Sequence, residues 1–148
     1  MSKLYITILF FVLMATGCEK EVGYLEVADA SYSVDQLTIL HLDTVTAQNN
    51  PELYALYKKR IDNKADWTTS TIEGVLGTDP IHYSIEDVKV IGRGDVEIFK
   101  KEISIMGGGR LVFPFKYESP KGLYVVSIRI ENEGYSKVVK NAFYFSLE

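Results

Sequence analysis

Between Gly122 and Asn132 a large apolar side chain returns at every second residue. Tyr124, Val126, Ile128 and Ile130 fall on one side, and Val125, Ser127, Arg129 and Glu131 on the other. A repeat of two is the period of a strand with one face against a core; a helix repeats every 3.6 residues. The same period returns in Ile81, Tyr83 and Ile85, set against His82, Ser84 and Glu86. It recurs in Ile103 and Ile105, in Leu111, Phe113 and Phe115, and in Phe143, Phe145 and Leu147. Turn signals separate these runs: Gly77-Thr78-Asp79-Pro80, Gly92 to Asp95, Gly107-Gly108-Gly109, Ser119-Pro120-Lys121-Gly122 and Asn132-Glu133-Gly134. Short strands at short, fairly regular spacing are the pattern of a β-sandwich. Ten Tyr, seven Phe and one Trp in 148 residues suit it, because aromatic rings favour strands. Parity slips before Val88 and Val90, which predicts a bulge, since an uncorrected slip would turn the strand inside out.

Upstream the pattern is weaker. Tyr24 to Val27 and Gln36 to Leu42 are β-prone and flank a polar turn at residues 31–35, so together they are expected to form the first edge of a sheet. Thr71 to Leu76 reads as another strand. Residues 43–69 are the least regular. Asn50 followed by Pro51 and Glu52 is a helix start: a cap, a proline in the first turn and an acid near the positive dipole end. This predicts one short helix over Pro51 to Lys59, with Leu53, Leu56, Tyr57 and Arg60 on one face; a strand through Tyr54 to Ile61 is the alternative.

The first residues serve another purpose. Lys3 supplies a positive charge, Leu4 to Met14 is an apolar run, and the small residues Ala15-Thr16-Gly17 lead into Cys18. This is the layout of a secretory signal. The run is short for a membrane span, which takes about 20 residues. Ala15-Thr16-Gly17-Cys18 resembles the bacterial lipobox, with alanine where leucine is usual. The resemblance implies cleavage before Cys18 and acylation of both its sulfur and its new amino group; several acyl chains anchor durably where one does not. Cys18 is the one cysteine, so neither an intrachain disulfide nor a cysteine-based metal site is available. The expected organisation is a signal peptide over residues 1–17, a lipidated tether over 18–23 and a single β-sandwich domain over 24–148. Glu19-Lys20-Glu21 resembles the acidic, lysine-containing tract of Bacteroidetes-type surface lipoproteins, which implies a place on the outer membrane facing outward.

Three stretches carry a fold-level resemblance over roughly Ile72 to Leu147. Gly77 to Ile85 resembles the opening of cadherin-like and related immunoglobulin-like domains. Phe99 and Ile103 to Leu111 resemble their middle hairpin, and Gly122-Leu123-Tyr124 through Asn132 their penultimate strand. The whole chain is similar to small Bacteroidetes-type surface lipoproteins with such a domain. The resemblance implies an immunoglobulin-like (cadherin-like) sandwich. Calcium sites do not carry over: residues 115–122 hold only Glu118, and calcium needs several oxygen ligands.

Few motifs point to chemistry. A formal net charge of −4 argues against a nucleic-acid partner. His41 and His82 have no metal-ligand spacing and are expected on the outward side. No nucleophile elbow occurs. Gly107-Gly108-Gly109-Arg110 is followed by a strand, so it reads as a flexible hairpin rather than a phosphate loop. Arg93-Gly94-Asp95 spells an adhesion tripeptide but needs only a turn to explain it. The candidates for binding are aromatic: Trp67, Tyr54 and Tyr57 in the irregular segment, with Tyr117, Tyr135 and Tyr144 also expected outward. Flat rings beside polar groups suit sugars and protein interfaces. The expectation is a membrane-anchored binding or accessory module with no catalytic role, metal or cofactor, its ligand a polysaccharide or another envelope protein. The alternative is a structural subunit of an envelope complex.

Overall fold

The computed structural model describes residues 23–41 and 47–148. The signal peptide, Cys18 and most of the tether lie outside the described residues, as does Leu42.

The described chain is mostly β, with two short helices. A four-stranded sheet runs in the order β2 (Gln36–Ile39), β9 (Tyr135–Leu147), β8 (Gly122–Asn132), β5 (His82–Ile91). A three-stranded sheet runs β3 (Trp67–Thr68), β7 (Arg110–Phe113), β6 (Ser104–Met106). A small ribbon pairs β1 (Leu25–Glu26) with β4 (Leu76–Gly77). Helix α1 covers Pro51–Asp62 and α2 covers Val96–Glu102.

The alternating segments fold as their periods predict. In β8, Tyr124, Val126, Ile128 and Ile130 are fully buried. The Asn132-Glu133-Gly134 turn joins β8 to β9 tightly, with Asn132 opposite Tyr135 and Gly134 at φ +91°. The slip before Val88 is a register shift between Ile85 and Asp87. A second irregularity falls between Val126 and Ile128 against β9. There Asn141 takes φ +51°, and its N–H donates to the Ser127 hydroxyl at 3.1 Å. Ser127 and Val125, expected to face solvent, are buried because β8 is flanked on both sides and neighbouring side chains close over them.

Aromatic rings join the two sheets. Phe99 stacks on Tyr124 at 4.2 Å and on Phe113 at 5.1 Å, and Phe113 meets Phe145 at 5.6 Å. Helix α2 delivers Phe99, so the stretch expected in a middle hairpin begins as a helix. Asp95 accepts from the N–H groups of Glu97 and Ile98 at 2.9 and 3.0 Å, satisfying two donors of the first turn. Lys100 and Lys101 sit in its last turn. At the other end of α2, the Glu102 carboxylate accepts from Glu118 N–H and from both N–H and hydroxyl of Ser119, fixing the chain before β8. Tyr124 adds a second fastening: its hydroxyl donates to the Pro120 carbonyl at 2.7 Å and accepts from Asp95 N–H at 3.1 Å.

Three upstream expectations are corrected. Residues 24–27 and 36–42 do not share one sheet edge: β1 joins the small ribbon, while β2 lies parallel to β9, with Gln36 opposite Tyr144. Of Thr71 to Leu76 only Leu76 lies in a strand, at the start of β4. Ile72 is buried and gives its N–H to the Gly108 carbonyl at 2.9 Å, so its β-preference reflects burial rather than a ladder. Another strand, β3, lies earlier, at Trp67–Thr68. Residues 51–62 form the expected helix rather than the alternative strand; Asn50 caps it by accepting from Leu53 N–H at 3.1 Å, and it runs three residues past Lys59. Leu56 leaves the predicted inner face and is 54% exposed. The three glycines do connect a hairpin, β6 to β7, as a 3-10 turn pinned where Tyr32 donates its hydroxyl to the Gly109 carbonyl. A Cβ on Gly109 would stand 2.6 Å from the Ile72 side chain, so only glycine fits.

Candidate functional site

The three aromatic candidates have separate fates. Tyr57 is buried, and its hydroxyl accepts the Leu40 N–H at 2.8 Å. Burial pushes its hydroxyl pKa up, against the smaller opposing pull of the Leu40 bond. It therefore presents no face to a ligand, which corrects the expectation for this residue. Trp67 is half-buried in β3 and packs against the core. The Arg60 guanidinium lies 3.8 Å from its ring centroid, and Tyr57 meets it at 5.4 Å. Arg60 is held there by donating to the Ala65 and Asp66 carbonyls at 3.0 and 2.9 Å. One face of the indole is thus already occupied. Tyr54, on the same helix, is exposed. The polar neighbours expected to surround the ring are committed as well. Asp66 accepts from Phe115 N–H at 3.1 Å, and Thr69 accepts from Leu111 N–H at 3.0 Å.

Other candidates resolve into structure. His41 stacks edge-on against Tyr117 at 5.0 Å, and Tyr117 packs on Phe113 at 5.1 Å, so neither faces outward as expected. His82 is exposed. Asp95 of the Arg93-Gly94-Asp95 stretch is the α2 cap. Among the described residues no three His, Cys, Asp or Glu side chains converge to hold a metal ion. No described helix is long and apolar enough to cross a membrane.

The arrangement that can receive a ligand lies between the outer edges of the two sheets. A groove of about 170 Å³ is bounded by Ser33, Val34, Gln36 and Leu37 on the β2 side and by Thr68, Thr69 and Ser70 on the β3 side; Phe143 also lines it. No charged side chain lines it. Val34 is 65% exposed at its margin.

The backbone of β2 gives this groove its chemistry. Asp35 and Ile39 accept from Tyr144 and Glu148 N–H at 2.8 and 2.9 Å, and His41 N–H donates to the Glu148 carbonyl at 2.6 Å. The odd-numbered residues therefore turn their backbone groups toward β9. Those of Gln36, Thr38 and Leu40 turn the other way. Leu40 N–H goes to Tyr57. Beside Gln36 and Thr38 no described strand lies, because β2 is the end strand of its sheet. A sheet edge of this kind is a template for another strand.

The opposite edge differs. Strand β5 carries a bulge and the charged residues Glu86, Asp87 and Lys89, and Asp87 pairs with Lys100 of α2 at 3.7 Å. Bulges and charges are the ordinary guards against edge pairing. Sequence reasoning missed the β2 groove because its residues come from separate stretches: a polar turn before Asp35, the β-prone run from Gln36, the irregular segment up to Thr69 and the last strand. The signal available was the pair of hydroxyl-rich segments, Ser31 to Ser33 and Thr68 to Ser70, brought together only by the fold.

No family model matches the chain, and no curated protein or solved structure matches it.

Proposed function

We propose that this chain is a lipid-anchored surface lipoprotein of the outer membrane, with an immunoglobulin-like sandwich acting as a non-catalytic binding module. Its ligand is a polypeptide taken up as an added strand along β2. The signal-like start and Cys18 support the anchor. Three features support the immunoglobulin-like reading: the opposed sheets, the parallel β2–β9 edge, and the bond from Tyr124 back to Pro120 at the start of β8. The last has the form of a tyrosine corner. The observation that carries the binding role is the outward backbone of Gln36 and Thr38 beside a groove with an apolar floor and hydroxyl walls. Main-chain bonds give such a complex affinity, and a side chain seated on Leu37 and Phe143 gives selectivity. The glycan alternative is weaker, since Arg60 already covers one face of Trp67.

Two experiments test the reading. Cys18→Ser should abolish palmitate labelling and membrane fractionation; unchanged labelling would end the anchor proposal. A photoactivatable residue at position 34 should form one discrete protein adduct in intact cells, and the same residue at Lys89 should not. Equal adducts from both positions, or binding of the intact protein to a glycan array instead, would overturn the strand-binding role.

A further inference from the structure

Resting on the lipid-anchor reading of Cys18, we propose that the end of the sandwich bearing Tyr24, Leu76 and Tyr135 lies against the bilayer, with these side chains in the headgroup region. Gly23, the first described residue, lies only five positions beyond Cys18. Fully extended, those five steps span at most about 18 Å. An acylated Cys18 therefore holds this end of the domain close to the lipid.

The same end exposes large apolar side chains. Tyr24 is 56% exposed, Leu76 58% and Tyr135 37%. Their grouping follows from register. Glu26 lies opposite Leu76 and Leu25 opposite Gly77. Thr78 N–H donates to the Tyr24 carbonyl at 3.0 Å, continuing that register by one pair. Side chains alternate along a strand, so Tyr24, Glu26, Leu76 and Thr78 share the outer face of the ribbon, while Leu25 turns into the core. The β8–β9 turn is fastened to the ribbon: the Asn132 amide donates to the Tyr24 and Thr78 carbonyls at 2.7 and 3.1 Å. Asn132 pairs with Tyr135, which brings a second ring to this end.

The chemistry fits an interface rather than the hydrocarbon interior. Tyrosine joins an apolar ring to a polar tip and suits the boundary between water and lipid. Glu26 on the same face limits the depth to the headgroups, and Asp79 and Glu133 nearby favour a neutral lipid surface over an anionic one. Ile91, equally exposed at 58%, ends β5 at the far end of the sandwich. From Asn132 to Leu123, which pairs with Ile91, the strand covers roughly 30 Å.

The test uses the full chain, exported and acylated, carrying Leu76→Cys or Ile91→Cys labelled with a fluorophore. Each protein is placed in vesicles of phosphatidylcholine and phosphatidylethanolamine that contain a nitroxide quencher near the headgroup end of the acyl chains. The label at position 76 should be quenched several-fold more than that at 91. Adding Tyr24→Ser and Tyr135→Ser should bring the two together. An intact mass showing acylated Cys18, with equal quenching at both positions, would overturn this orientation and leave the anchor standing. A mass showing no acyl chain would overturn the anchor and the orientation with it.

Discussion

The hydroxyl of Tyr57 accepts the N–H of Leu40 at 2.8 Å, and this bond ties helix α1 to the outer edge of the four-stranded sheet. It also ends the stretch of β2 open to another strand, leaving Gln36 and Thr38. Tyr57→Phe keeps the ring and removes the acceptor, so Leu40 N–H loses its partner. The expected cost is about 1–3 kcal/mol. Urea unfolding would show it, and hydrogen exchange at the Leu40 amide should accelerate. Unchanged exchange there would mean that the hydroxyl is not the acceptor in solution.

Ile128 and Arg129 are neighbours in β8 with opposite surroundings. Ile128 is fully buried, whereas Arg129 donates to both oxygens of Glu86 at 2.6 Å on the exposed side. Ile128→Asp places an unpaired charge in the core and should unfold the domain. Arg129→Ala removes a surface ion pair and should cost far less. Melting temperatures of the two variants decide it; similar large losses would contradict the inward parity of β8.

The Glu86–Arg129 pair also gives a pH dependence. The Arg129 hydrogen bonds hold the Glu86 carboxyl below the usual carboxylate range. A group whose pKa is depressed on folding contributes stability above its unfolded pKa, and that contribution is lost as pH falls through the folded one. Wild type should therefore exceed Glu86→Gln in stability near neutral pH and converge with it in acid. A gap that widens below pH 4 would have the wrong sign.

Trp67 packs against Arg60 and Tyr57, half-buried over the core. Trp67→Ala should lower stability, toward the roughly 3–5 kcal/mol typical of a large aromatic lost from a core. A thermal melt measures this. A variant that melts like wild type while losing affinity for a glycan would show that the indole serves a ligand instead.

The legible parts of the sequence were those where one residue type does one job. The alternation in β8, the Asn132-Glu133-Gly134 turn and the bulge before Val88 were readable because period and parity are local properties. The Asn50 cap marked α1 for the same reason. Helix α2 was missed although Asp95, Glu97, Lys100 and Lys101 carry its end signals, because seven residues are too few for a helical period to emerge beside a turn. Ile72 misled because a buried β-branched residue looks the same whether or not it joins a ladder. The groove was invisible: Ser33 and Thr68 are thirty-five positions apart, and nothing local says that β2 lies parallel to β9 with its even-numbered backbone turned outward.

Thr38→Pro tests that outward backbone. Proline removes the Thr38 N–H, which points away from β9, and is tolerated on an edge strand where no ladder bond is lost. The account predicts a melting temperature close to wild type and loss of the adduct formed from position 34 in cells. An adduct that persists in a folded Thr38→Pro variant would contradict it.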